Sequence, residues 1–115
     1  MGKLEQKIKK LGVKYIDFGW ASFELQFVTV IKSEGNYDEI FGETSIDQRY
    51  IKILSNQNDD ILRDTLLHEI IHVIHATVGL DSDIVELEEE QRCRLMTQGL
   101  LLLFKLNPKL KHILF

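Results

Sequence analysis

The stretch Thr65-Leu66-Leu67-His68-Glu69-Ile70-Ile71-His72 limits what this chain can fold into more than any other. Residues four apart on an α-helix share a face, with Cβ atoms about 5–6 Å apart. His68 and His72 can therefore converge on one Zn²⁺ ion, at about 2.0–2.1 Å each. Glu69 is turned about 100° from His68, which puts its carboxylate beside the metal position rather than on it. There it can take a proton from a metal-bound water. A hydrolytic zinc site needs three protein ligands and one open position, so a third ligand is expected from a neighbouring element.

The surroundings of the motif are helical. Asn58, Asp59 and Asp60 offer an N-cap and first-turn negative charge. Apolar residues from Ile61 to Val78 then fall almost all round, the pattern of a central helix, and Gly79 is a plausible C-cap. Thr65, His68, His72 and His75 form a polar stripe with Glu69 alongside, and a polar stripe on a buried helix must be satisfied by something. His75 itself reads as a partly exposed helix residue. After Leu80-Asp81-Ser82, Asp83 with Glu86 resembles a capping box, opening a second helix that ends before Asn107-Pro108. Four glutamates at its start, Glu86, Glu88, Glu89 and Glu90, compete as third ligand. The stripe from Glu90 through Cys93, Thr97, Leu100 or Leu101 and Phe104 is small or apolar, whereas Glu88 meets Arg92. This favours Glu90 and leaves Glu89 open. Cys93 reads as a small core residue.

Upstream, Leu4, Ile8 and Leu11 at helical spacing, with Lys3, Lys7, Lys9, Lys10 and Lys14, predict a short amphipathic helix with a solvated basic face. Val13–Phe18 and the alternating run from Phe23 to about Ile31 predict strands, and Ser33–Asn36 a turn. Residues from Gly42 to Leu54 suggest a hairpin turning at Asp47-Gln48. Tyr50 on it reads as a packing residue that could also donate to an oxyanion. Lys109–Phe115 can add one helical turn, and His112 there has no motif around it.

The 115 residues fit one domain, 1–115. A net charge of −4 gives no reason to expect nucleic acid or an anionic membrane as partner. The longest apolar run, Leu100–Phe104, is far too short to cross a bilayer. A lone cysteine excludes an intrachain disulfide and fits a reducing compartment. With no secretory signal pattern, the expectation is a cytoplasmic protein.

The motif and the Glu90-x-x-Cys93-x-x-Met96-Thr97 segment, with Gly99-Leu100 and Asn107-Pro108, resemble small phage and prophage metallopeptidase-like proteins related to the ImmA/IrrE group of gluzincins. The resemblance covers roughly positions 42 to 110, and its only highly specific part is the motif. It implies His68 and His72 as zinc ligands, Glu69 as catalytic base, Glu90 as third ligand, and peptide hydrolysis as the activity. The expectation is thus an α+β, minimal zincin-like domain: a small, mainly antiparallel sheet beside two long helices, with Zn²⁺ between them. Its substrate would be a protein or peptide, such as a regulator, held by strand addition at the edge of residues 49–54. The alternative is a non-catalytic, metal-stabilised module that docks a host or phage regulator.

Overall fold

The structure is a computed structural model that describes residues 2–31, 40–80 and 87–115. Its elements run α1 (Lys3–Lys10), β1 (Tyr15–Asp17), β2 (Ser22–Val28), β3 (Gly42–Ser45), β4 (Tyr50–Leu54), α2 (Asp59–Val78), α3 (Glu89–Leu106) and α4 (Leu110–Leu114). The class is α+β. The four strands form one sheet in the order β1-β2-β4-β3. The outer pairs are antiparallel and the central pair, β2 with β4, is parallel. The expected turn at Ser33–Asn36 and the Asp83/Glu86 capping box lie outside the described residues. The observed start of α3 is instead at Glu88, whose N–H donates to Gln91 Oε1 at 3.1 Å.

Strand alternation puts one face of the sheet in the core. Ile16, Phe23, Leu25, Ile51 and Ile53 are buried there with Leu62, Leu66, Ile70, Val73 and Ile74 of α2. Leu4 and Ile8 of α1 join them, so the basic face of that helix is left to solvent as expected. The tail contributes Leu110, Ile113 and Leu114, all buried in α4.

The hairpin register decides what faces α2. Cross-strand partners point to the same side of a sheet, and β3 pairs Gly42 with Ile53 and Thr44 with Ile51. Gly42 and Thr44 therefore turn inward with those isoleucines, toward α2. At Gly42 the strand comes so close that an added Cβ would lie 2.8 Å from Thr65 Cγ2 and 2.9 Å from Glu69 Cγ. The strand of residues 49–54, expected at an edge, lies inside the sheet: β4 has β2 on one side and β3 on the other, and among the described residues β3 ends the sheet beside α2.

Helix α3 meets α2 at Gly99, where a Cβ would lie 2.6 Å from Ile74 Cγ2. That contact fixes the inward face of α3 as Gly99 and Leu103, with Leu95, Met96 and Leu100 half-buried. Its first turns, Glu89 to Arg94, are exposed throughout. Cys93, expected in the core, is thus a free exposed thiol: burial on α3 begins only at Leu95. No helix among the described residues is long and apolar enough to cross a membrane.

Candidate metal centre

Helix α2 is terminated at both ends by local chemistry. Asn58 accepts from Ile61 N–H at 2.9 Å through its side chain, and Gly79 closes the helix at φ 81°. Between them the motif lies along the rim where α2 faces β3. Glu69 is 6 % exposed, while His68 and His72 open to solvent. One ligand atom from each of the three lies within 4.8 Å of the others, the only such group among the described residues.

The two imidazoles face each other through their Nε2 atoms, 3.2 Å apart, with ring planes at 83°. Two nitrogens bound tetrahedrally to zinc at the usual bond length stand about 3.3 Å apart. The N–N spacing is therefore that of two ligands on one divalent ion.

Glu69 is held from the strand side. Thr44 Oγ1 donates to its Oε2 at 3.1 Å. The beginning of β3 is tied down by Gln57, 6 % exposed, which donates to the carbonyls of Phe41 at 3.2 Å and Leu54 at 2.7 Å. Gln57 in turn accepts from the buried Thr65 hydroxyl at 3.1 Å. The polar residues on the inner side of α2 are thus satisfied by two partners the motif does not announce, Thr44 and Gln57.

A cleft follows this rim. One hollow of about 290 Å³ is lined by Thr44, Ile46, Glu69, His72 and Ala76. A second, about 240 Å³, is lined by Phe41, Gly42, Asp64, Thr65, His68 and Glu69. The two share Glu69 and lie between α2 and β3, not between the two long helices as expected. The close approach at Gly42 brings the strand, rather than α3, against the motif. A larger hollow, about 440 Å³, lies where Gly12–Tyr15 meet Leu106–Leu110 and has no histidine, cysteine or acidic residue in its lining.

The remaining candidates stand apart. Glu90 is exposed in the first turn of α3 and does not join the group of three. It precedes Gly99 by nine residues, about 13 Å of helix, and Gly99 is where α3 touches α2. Glu88 and Glu89 are exposed beside it, and Glu86 lies outside the described residues. His75 is half-buried and His112 exposed. Tyr50 gives its hydroxyl to Glu43 at 3.3 Å, and Lys52 sits 4.6 Å from its ring centre. Comparisons with protein-family models, with curated proteins and with solved structures find no match for the chain.

Proposed function

We propose that the chain is a zinc-dependent peptidase of the HExxH type with a zincin-like layout, working in a cytoplasmic setting. The observation that supports this reading is the pair of facing imidazole nitrogens at 3.2 Å beside a buried carboxylate that a strand hydroxyl holds in place. His68 and His72 would hold the ion; Glu90, proposed as third ligand, lies in the exposed first turn of α3 outside the group of three and would have to be brought to it. A zinc ion bound there supplies Lewis acidity, which polarises a carbonyl and lowers the pKa of a water. Glu69 then accepts that water's proton and returns it to the leaving amine. Thr44 keeps the carboxylate pointed into the cleft. The outer edge of β3, unpaired among the described residues, would offer N–H and C=O groups to an extended peptide lying as a fifth strand over the two histidines.

One observation favours a second reading, a metal-stabilised docking module without hydrolysis. Glu90 stands away from the histidines, so the described donors other than Glu69 do not complete a three-ligand site. If Glu69 is itself a ligand, no base is left.

Zinc titration and peptide hydrolysis by wild type, His68→Ala, Glu69→Gln and Glu90→Ala separate these readings. The peptidase reading expects one zinc per chain, lost in His68→Ala and weakened in Glu90→Ala. It expects Glu69→Gln to keep zinc but lose hydrolysis by about 10²–10⁴-fold. Loss of zinc in Glu69→Gln, or no cleavage by a zinc-loaded wild type, overturns it.

A further inference from the structure

The cleft is chemically asymmetric about the motif. Asp64, His68, His72 and Ala76 succeed one another at intervals of four, one row along the rim of α2. On the strand side, Phe41 and Gly42 stand opposite Asp64 and His68, while Thr44 and Ile46 stand opposite His72 and Ala76. The His72 end is therefore aliphatic. The His68 end has an exposed carboxylate, Asp64, and its hollow is also lined by Phe41, which is 41 % exposed. Asp64 has no ion pair among the described residues.

A hollow lined by an exposed carboxylate and a part-exposed phenylalanine suits one kind of guest. The ring packs against the methylene stem and cation of a Lys or Arg side chain, while the carboxylate meets its head group. We infer that the Asp64–Phe41 end is a subsite for a basic side chain of an extended peptide, with an aliphatic residue preferred at the Ile46–Ala76 end. The inference rests on the peptide-binding part of the reading above.

The geometry also sets the register. Asp64 lies six residues before the midpoint of the two histidines, about 9 Å along the helix. A strand rises about 3.3 Å per residue, so the basic residue falls two or three positions from the peptide group over the histidines. Strand β3 runs from the Asp64 end toward the Ala76 end. A peptide added antiparallel to it has the opposite direction, which places the basic residue on the C-terminal side of that group.

The test is binding of fluorescein-labelled heptapeptides, alanine and leucine based, with one Lys, Arg, Ala or Glu moved through each position. Anisotropy is read on the zinc-loaded wild type, Asp64→Asn, Asp64→Lys and Phe41→Ala. The wild type should prefer Lys or Arg over Glu by about three- to tenfold at one position, an advantage that fades in high salt. Asp64→Asn should abolish the preference, Asp64→Lys should invert it toward Glu, and Phe41→Ala should weaken binding of the basic peptides. A charge preference that survives Asp64→Asn, no preference at all, or no binding of any peptide at millimolar concentration overturns the subsite. Asp64-dependent binding without cleavage upholds the subsite while sinking hydrolysis. Cleavage indifferent to Asp64 does the reverse.

Discussion

Removing the Thr44 hydroxyl tests whether β3 positions the proposed base. Among the described residues, Thr44 Oγ1 is the one side chain that donates to the Glu69 carboxylate, at 3.1 Å, and Glu69 is 6 % exposed. A hydrogen bond to a charged group contributes about 1.5–3 kcal/mol, and little of this is lost to solvent screening at such burial. Thr44→Val keeps the shape of the side chain and deletes the donor. Its urea midpoint should fall by the equivalent of about 1.5–3 kcal/mol with an unchanged slope, and Thr44→Ser should recover most of the loss. A cycle with Glu69→Gln isolates the pair, because the neutral amide accepts more weakly than the carboxylate. The Thr44→Val penalty should shrink by about half in that background. A penalty below about 0.5 kcal/mol, or one of equal size in both backgrounds, would refute the claim that this contact holds the carboxylate.

Two further perturbations probe how the site is built. Gly42→Ala drives a methyl into Thr65 and Glu69 and should cost about 1–3 kcal/mol as an overpacking change. Gly79→Ala, where φ is 81° and nothing lies within 4 Å of the added Cβ, should cost about 1 kcal/mol through backbone strain alone. Only Gly42→Ala should also shift the His68 and His72 ring signals in an NMR spectrum of the zinc-free protein. Glu5→Ala should cost about 2–3 kcal/mol by chemical denaturation. Glu5 is fully buried, takes the Ser55 hydroxyl on both oxygens at 3.0 Å and accepts from Asn56 N–H at 3.1 Å, so its loss strands the turn after β4. Stability equal to wild type in Glu5→Ala would mean that the turn is held by something else.

Local signals were legible in the chain because each acts within one turn of backbone. The cap at Asn58, the stop at Gly79, the amphipathic α1 and the hairpin from Gly42 to Leu54 all stand where their residues put them. What the pattern did not carry is the order of strands. Nothing in the alternation of β2 says that it pairs with β4 in parallel, leaving β3 outermost. The facing of α3 failed for a related reason. A stripe from Glu90 through Cys93 and Thr97 is a reasonable helical face, but the face in use is chosen by one close contact, Gly99 on Ile74. Glu5 was equally hidden: apart from Lys9 one turn on, its partners Ser55 and Asn56 lie about fifty residues away.

The dependence of the site on β3 follows from a two-residue step along that strand. Residues i and i+2 of a strand share a face, so Gly42 and Thr44 both look at α2. A Cβ added at position 42 would lie 2.8–2.9 Å from Thr65 Cγ2 and Glu69 Cγ, so the strand or those side chains would have to give by roughly half an ångström or more to restore ordinary contact. Either adjustment would disturb the 3.1 Å hydrogen bond from Thr44 to Glu69. The glycine and the threonine are therefore one device: absence of a side chain at the first lets the hydroxyl of the second reach the carboxylate. The rotation of α2 completes it. About 100° separates Glu69 from His68, enough to bury the carboxylate under the strand while both imidazoles stay open at the rim. A buried carboxylate thus stands beside two imidazoles open to solvent, and the motif alone specifies neither half of that arrangement.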